Sequence, residues 1–145
     1  MNVLVSACLL GVPCRYDGTS IGDCLSDKYP QLTFIKVCPE VLGGLPTPRK
    51  SAQISGDRVV TVDGDDVTKE FEEGAKKSLE VALANDCKVA ILKAKSPSCG
   101  SNLVYDGTFS SKLVAGDGVL AALLKENGIA VFSEENLAEF EKEIK

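Results

Sequence analysis

Four short apolar segments, each rich in β-branched residues, constrain the fold of this 145-residue chain most strongly. Runs of this length without polar alternation are typical of strands buried on both faces of a parallel sheet. Helical patterns lie between the runs, and parallel strands need such crossover connections. The sequence therefore predicts a single α/β domain over residues 1–145, with a mainly parallel, Rossmann-like doubly wound sheet and helices on both faces. The four runs are residues 3–7 (VLVSA), 33–37 (TFIKV), 88–92 (KVAIL) and 129–132 (IAVF).

Three longer helices are predicted from apolar side chains at helical spacing. The first covers residues 67–85, and acidic residues near its start favour a helix there. The second begins near Gly118 and ends before Gly128, a position typical of a C-terminal capping glycine. The third follows Ser133, whose side chain is predicted to cap the first turn.

Two smaller elements are predicted between these segments. Residues 22–29 are expected to form a short helix that ends before Pro30, because the residue before a proline disfavours helical geometry. Residues 58–62 (RVVTV) are strand-like and have glycine-containing turns on both sides, which predicts a small β-hairpin at the edge of the domain.

Charge and composition exclude several classes of function. The net charge is −5 and the sequence pI is about 4.8, so we expect no broad binding to nucleic acid, which needs a basic patch. No apolar run is long enough to cross a membrane, and the VSAC box at 5–8 lacks the segment that a signal peptide requires before it. A cytoplasmic protein is therefore expected. The chain has no histidine, which removes the commonest general base and zinc ligand.

Three of the six cysteines follow predicted strands. Cys8 comes directly after the first strand, Cys38 after the second, and Cys99 a few residues after the third. Because ligands bind outside the carboxyl ends of the strands in an open parallel sheet, we expect these thiols at one edge. Cysteine is also a common small apolar core residue, but the surroundings of these three are rich in glycine and proline, which is typical of loops.

The remaining cysteines are interpreted differently. Cys24 lies in the expected short helix and Cys87 lies just before the third strand, and both are interpreted as structural. Cys14 lies in the loop after Cys8, so its role stays open.

Several thiolates at one edge point to zinc or to an iron–sulfur cluster. Structural zinc favours closely spaced cysteine pairs, and the chain has no CxxC. A cluster tolerates dispersed ligands, and three-cysteine ligation leaves one iron open, whereas Cys14 would be the fourth ligand of a closed site. Two alternatives remain: a non-catalytic module that binds zinc or a cluster, and a thiol-redox protein, which the lack of CxxC disfavours.

Short motifs extend over essentially the whole chain: SACLLG at 6–11, RYDG at 15–18, CPE at 38–40, GL at 44–45, PR at 48–49, KSPSCG at 95–100, YDGTFS at 105–110 and GDG at 116–118. Together these motifs resemble the signatures of the thiouracil desulfidase family, long catalogued as a bacterial domain of unknown function. The resemblance implies a [4Fe-4S] cluster held by three cysteines, which correspond to Cys8, Cys38 and Cys99. It also implies catalytic roles for Glu40 and Ser96.

Two positions refine the resemblance. Cys14 lies at a position where the residue varies in the family, so the resemblance argues against Cys14 as a required ligand. The segment SAQ at 51–53 departs from the PAE expected there, and this change leaves the identity of the substrate open.

The implied reaction removes sulfur from a small thiolated pyrimidine and releases hydrosulfide without net electron transfer. An open iron would polarise the thiocarbonyl group as a Lewis acid. Glu40 is expected to act as the general base that takes a proton from water. Ser96 is expected to hydrogen-bond the ring or to relay a proton. Arg49, Asp17 and Ser98 are further candidates for binding the base, although loop residues of these types also serve as solvated or turn-forming side chains. The sequence leaves open whether the substrate is a free base, a nucleoside or thiolated RNA, and it does not indicate the oligomeric state.

Overall fold

Eight strands and four helices form the secondary structure of residues 1–20, 22 and 25–144, the part of the chain that the computed structural model describes. A 3₁₀ turn (Ala7–Leu9) follows the first strand. The helices are α1 (Pro39–Leu42), α2 (Thr68–Ala84), α3 (Val119–Glu126) and α4 (Leu137–Glu143). The strands are β1 (Asn2–Ser6), β2 (Thr33–Val37), β3 (Ala52–Ser55), β4 (Arg58–Thr61), β5 (Val89–Leu92), β6 (Leu103–Tyr105), β7 (Leu113–Ala115) and β8 (Ala130–Ser133).

Four of these strands form the central sheet, in the order β2–β1–β5–β8. Every neighbouring pair is parallel, and Val3 of β1 lies between Phe34 of β2 and Val89 of β5. All of β5 is buried, as is most of β1, because helices or loops cover both faces. The predicted α/β fold with a mainly parallel sheet is confirmed.

Packed elements lie on both faces of this sheet. On one face, Ala75 of α2 and Leu120 of α3 join a core cluster with Leu4 of β1. On the other face, Phe140 of α4 is fully buried and meets the ring of Tyr29 edge to face, with 5.5 Å between centroids. The central strands are therefore sandwiched between two apolar layers, as the uninterrupted apolar runs predict.

The strand order places a topological switch point between β1 and β5. From β1 the chain moves to β2 on one side, and from β5 it moves to β8 on the other. Loops that leave adjacent strands in opposite directions open a crevice at the carboxyl ends of those strands. The segments after β1 and β5, which contain Cys8 and Cys99, flank this crevice.

Two antiparallel hairpins accompany the sheet. The β3–β4 hairpin contains the predicted edge strand at 58–62, which ends at Thr61. The β6–β7 hairpin is not predicted by the sequence pattern, because each strand has three residues and Leu103 and Val114 are exposed. Strand β3 packs beside β6, so both hairpins lie together.

The structure corrects two local predictions. Residues 25–28 form a bend and turns rather than part of a helix over 22–29, while residues 23 and 24, including Cys24, lie outside the described residues. The last helix has Asn136 as its N-cap residue, because Ser133 Oγ instead accepts the N–H of Glu135 in the preceding turn. In the described part of the chain, no helix is both long and apolar enough to cross a bilayer.

Candidate active site

A cavity of about 330 Å³ opens at the carboxyl ends of β1, β2 and β5. Cys8, Cys38 and Cys99 all line it, although they come from distant parts of the sequence. Cys14 lines the cavity as well. Strand order thus brings the three thiols to one edge of the sheet, as the sequence predicts.

Each of the three thiols is placed by the end of a different strand. Cys8 lies in the 3₁₀ turn directly after β1 and is 7% exposed. Cys38 is the N-cap residue of α1, immediately after β2. Cys99 lies in the turn that follows β5 and is 4% exposed. Cys8 and Cys38 therefore lie directly at strand ends, whereas Cys99 lies in the loop beyond its strand.

Burial and contacts between thiols raise the pKa of Cys14, Cys38 and Cys99. Cys38 Sγ lies 3.6 Å from the carbonyl oxygen of Cys14, and hydrogen bonding with the Cys14 thiol, then burial, raises the pKa of Cys38 well above its usual range. Burial raises the pKa of Cys99, although nearby hydroxyl groups lower it. The Cys38 hydrogen bond lowers the pKa of Cys14, but the hydrogen bond with Cys8 and burial outweigh it and raise that pKa. Thiols in this state release protons when a metal binds them.

The loop with Cys99 is held against the N-terminus of α3. The N–H of Leu120 donates to the carbonyl oxygen of Ser98 at 2.8 Å, so the loop satisfies a donor that a helix start leaves unpaired. Gly118 permits this contact, since a Cβ there would lie 2.6 Å from the carbonyl carbon of Ser98. The second glycine of the GDG motif is therefore required by close backbone approach.

Two serines in this loop connect it with Glu40. Ser96 Oγ accepts the N–H groups of Ser98 and Cys99, each at 3.2 Å, and lies 3.0 Å from Ser98 Oγ. Ser98 Oγ lies 3.4 Å from Glu40 Oε2 and 3.5 Å from Cys99 Sγ. Because a hydroxyl has one hydrogen, Ser98 donates to one of these groups at a time. The result is a short chain of polar groups from Ser96 through Ser98 to the carboxylate.

Arg49 holds the opposite side of the Glu40 carboxylate. Its Nε donates to Glu40 Oε1 at 3.3 Å and its Nη2 donates to the carbonyl oxygen of Cys14 at 2.9 Å. Its Nη1 donates to Pro46 O at 3.2 Å and to Thr47 Oγ1 at 3.0 Å. Since each guanidinium nitrogen already donates to the protein and the side chain is 5% exposed, Arg49 orients Glu40 and the Cys14 loop. A direct role of Arg49 in binding substrate stays a prediction.

Close packing of α1 on α2 sets the position of Glu40 from behind. A Cβ at Gly74 of α2 would overlap the carbonyl oxygen of Pro39, and a Cβ at Gly43 would overlap that of Glu70. Only glycine permits this backbone-to-backbone contact. The carboxylate therefore depends on residues that lie outside the cavity.

The structure brings most of the predicted polar residues together. Asp17 is the exception: it is exposed and does not line the cavity. Its Oδ1 accepts the N–H of Thr19 at 3.0 Å and closes its own turn, where hydrogen bonds from the Thr19 side chain and backbone lower the pKa of Asp17. The cavity is lined by the other four predicted polar residues, which are Glu40, Arg49, Ser96 and Ser98.

The cavity is also lined by residues that the sequence patterns do not assign to the site, among them two tyrosines, Gln53 and Lys93. Tyr16 and Tyr105 each begin a Tyr-Asp-Gly segment, but such repeats are readily explained as ordinary turns. Gln53 was visible only as a departure from the expected family pattern. Lys93 forms an ion pair with Glu134 at 3.1 Å, which no local pattern indicates.

The thiol arrangement suits a group larger than one ion. Among the described residues, no three cysteine, aspartate or glutamate side chains form a group that could hold a single metal ion. The thiols instead line an open cavity. Soft thiolate donors bind iron–sulfur clusters, which are larger than a single metal ion. The donor set therefore fits a cluster better than a single zinc ion.

Fold and cavity together define an α/β protein with a multi-thiol site at the switch point of its parallel sheet. The chain belongs to the 2-thiouracil desulfurase family, whose sequence model matches residues 3–136. It is 44% identical over 149 residues to the uncharacterized protein YbbK of Bacillus subtilis (strain 168), covering 93% of this chain and 97% of that protein. A solved structure of [4Fe-4S]-dependent thiouracil desulfidase TudS is 46% identical, with a TM-score of 0.91 over 99% of this chain and 97% of that chain. The family expected from the sequence is confirmed.

Proposed function

We propose that this chain is a [4Fe-4S]-dependent desulfidase that hydrolyses the carbon–sulfur bond of a thiouracil-type base. Membership of the 2-thiouracil desulfurase family and the likeness to TudS support an enzyme and do not favour a non-catalytic module. The observation that carries the proposal is one cavity that contains three strand-end thiols and a positioned carboxylate.

Cys8, Cys38 and Cys99 would hold the cluster, each from a different strand end. When bound through three cysteines, such a cluster keeps one iron open, which is a Lewis acid toward a thiocarbonyl sulfur. Cys14 contacts two of these thiols and would serve as a neighbour rather than a ligand. This assignment is supported by the burial of Cys8 and Cys99 and by the origin of the three thiols after three different strands.

Glu40 is the proposed base in a chain without histidine. Its carboxylate accepts a proton from water as the water oxygen bonds to the ring carbon, and the carbon–sulfur bond then breaks to release hydrosulfide. Arg49 fixes Oε1, so Oε2 is the oxygen available on the side of Ser98. The reaction involves no net oxidation or reduction.

The two serines extend this proton path. Ser98 is 1% exposed and bridges Glu40 and the loop, whereas Ser96 lines the cavity with its hydroxyl next to Ser98. A proton taken up by Glu40 can pass through Ser98 to Ser96, and from there to the ring nitrogen or leaving sulfur.

The substrate is proposed to be a small thiolated base, and a cytoplasmic location remains our prediction.

The direct test is sulfide release from 2-thiouracil by anaerobically reconstituted protein. Glu40→Gln keeps the size and the hydrogen-bonding reach of the side chain but removes the base, so kcat is expected to fall by about 10²–10⁴-fold. Iron and labile sulfide should stay at the wild-type level, because Glu40 is not a proposed ligand.

Glu135→Gln is the matched control, since Glu135 is an exposed carboxylate paired with Lys95 at the same sheet edge. Its turnover should equal that of the wild type. A Glu40→Gln variant with full turnover and an intact cluster would remove Glu40 from the mechanism. A cluster-loaded wild-type protein that releases no sulfide from 2-thiouracil would contradict the proposed function.

A further inference from the structure

Ser6 is the last residue of β1 and occupies the N-cap position of the 3₁₀ turn that contains Cys8. A serine at such a position often caps the turn with its own side chain, but Ser6 makes no capping hydrogen bond. Its Oγ instead accepts the backbone N–H of Lys93, the residue directly after β5, at 2.9 Å. The side chain therefore bridges the ends of the two strands that flank the switch point.

The hydrogen of the Ser6 hydroxyl is available to a second group. A serine hydroxyl has one donor and can also accept, so the bond from Lys93 leaves the donor free. Ser6 is 3% exposed and lines the cavity together with Cys99. Burial raises the pKa of Cys99 to about 12, and a hydrogen bond with Ser6 acts in the opposite direction. The sulfur of Cys99 is therefore the acceptor for this hydrogen.

Ser98, the other hydroxyl beside Cys99, has a competing acceptor. Its Oγ lies 3.5 Å from Cys99 Sγ and 3.4 Å from Glu40 Oε2, so its one hydrogen is shared between sulfur and carboxylate. Among the described residues, Ser6 has no carboxylate partner. A buried thiolate without a donor is costly, so Ser6 is the hydroxyl that can serve Cys99 throughout the reaction.

We infer that Ser6 is a positioning residue that donates an O–H···S hydrogen bond to the Cys99 thiolate and so controls how strongly this sulfur donates electrons to a bound cluster. The inference rests on the proposed function, in which Cys99 is a cluster ligand. Hydrogen bonds to ligand sulfurs are among the factors that set the reduction potential of an iron–sulfur cluster. By drawing electron density from the sulfur, such a bond also makes an open iron a stronger Lewis acid.

The test is the reduction potential of the cluster in anaerobically reconstituted Ser6→Ala, measured by spectroelectrochemistry without substrate. Loss of the hydrogen bond leaves more negative charge on the Cys99 sulfur and disfavours the reduced cluster. The potential should therefore shift to a more negative value than in the wild type. In the sulfide-release assay with 2-thiouracil, kcat should fall by about tenfold while KM changes little.

A purely structural Ser6 predicts a different result. If the hydroxyl served only to hold the N–H of Lys93, Ser6→Ala would lower the melting temperature and leave the potential unchanged. Ser6→Thr keeps a hydroxyl that can accept from Lys93 and donate to Cys99, so its potential should equal that of the wild type. The potential is read only from cluster-bound protein, so partial loading of a variant does not affect it.

Ser133→Ala is the matched control. Ser133 is the last residue of β8 and is 9% exposed, and its hydroxyl donates to Asn136 Oδ1 at 3.1 Å rather than to a thiol. This variant should keep the potential and the kcat of the wild type. An unchanged potential in Ser6→Ala, or an equal shift in both alanine variants, would overturn the inference.

Measurement without substrate keeps the inference distinguishable from the proposed function. If the potential shifts as expected but no sulfide is released from 2-thiouracil, the role of Ser6 stands and the proposed reaction fails. If Ser6→Ala keeps the wild-type potential while the wild-type protein releases sulfide, the reaction stands and the inference is wrong. A wild-type protein that binds no cluster would contradict both.

Discussion

Cys87 and Cys99 lie at opposite ends of β5, and only Cys99 reaches the cavity. The two side chains are almost equally buried, at 2% and 4% exposure, and burial raises the pKa of both thiols. Their neighbours differ. At the amino end, the N–H of Cys87 closes the end of α2 by donating to Ala82 at 2.9 Å. At the carboxyl end, Cys99 Sγ lies 3.5 Å from Ser98 Oγ, and Cys99 shares the cavity with the thiols that follow other strands.

Burial and thiol acidity therefore do not distinguish Cys99, a proposed ligand, from Cys87. The position relative to strand direction distinguishes them, because the loops after parallel strands diverge at the switch point and leave room for a ligand. At the amino ends of β5 and β8, short connections lead in from α2 and α3. The two ends of one sheet should therefore respond differently to substitutions of similar severity.

The two glycines that bracket α3 provide the largest expected contrast. Gly118→Ala forces a Cβ against the backbone of Ser98, so the Cys99 loop must move, and displacement of reacting groups by about 1 Å costs on the order of 100-fold in rate. Gly128→Ala meets open space but has a φ of +77°, which costs about 1–2 kcal/mol in the free energy of unfolding.

Denaturant unfolding and sulfide-release assays on both variants measure this contrast. Both proteins should be destabilised, but only Gly118→Ala should lose activity and cluster content. Equal losses of activity in the two variants would show that the carboxyl edge is no more sensitive than the amino edge.

Arg49 offers a second contrast, against an arginine outside the cavity. Arg49→Lys removes the planar fork that spans Glu40 and the Cys14 carbonyl, so kcat is expected to fall by about tenfold, the effect of one lost charge-assisted hydrogen bond. Arg58 pairs with Asp66 at 2.8 Å on the exposed β3–β4 hairpin, and Arg58→Lys should leave kcat unchanged. An Arg49→Lys enzyme with wild-type kcat would mean that Glu40 needs no such support.

Tyr29, at the amino end of β2, gives the smallest expected effect. Burial, followed by its hydrogen bond with Glu141 at 2.6 Å, raises the pKa of Tyr29 to about 12. Since the folded pKa lies above the unfolded value, the contribution of Tyr29 to stability is complete below pH about 10 and is lost as pH rises through about 12. Tyr29→Phe should cost about 1 kcal/mol at neutral pH and less at high pH, with turnover unchanged.

Thermal unfolding across this alkaline range checks the Tyr29 prediction. A stability difference between Tyr29→Phe and wild type that grows with pH would contradict the expected direction of this pH dependence. A loss of turnover in Tyr29→Phe would instead connect the amino end to the cavity.

Much of the sheet could be predicted from the sequence, because the central strands β1 and β5 are buried on both faces and all four strands contain apolar runs. The order of the strand ends also predicted that Cys8, Cys38 and Cys99 would meet. Helix α1 was not predicted: it has four residues, and the Cys38-Pro39 step is typical of a strand end, although proline also favours a first helical position.

The rest of the candidate site depends on contacts that no local pattern reveals. Gly74 matters because α1 approaches it from a distant part of the chain, and Gly118 matters because a loop rests on it. Asp17 looked suitable as a polar ligand, but its carboxylate closes its own turn. Ser6 became informative only when its bond with the N–H of Lys93 was known.

We propose that three thiols at the carboxyl edge hold the cluster. Iron and labile sulfide, counted per chain after anaerobic reconstitution in five single cysteine-to-alanine variants, test this ligand set. About four irons per chain are expected in the wild type and in the variants at Cys14 and Cys87, with the cluster lost from those at Cys8, Cys38 and Cys99. Loss of the cluster from Cys14→Ala, or its retention in any of the other three cavity variants, would contradict a cluster held by these three thiols.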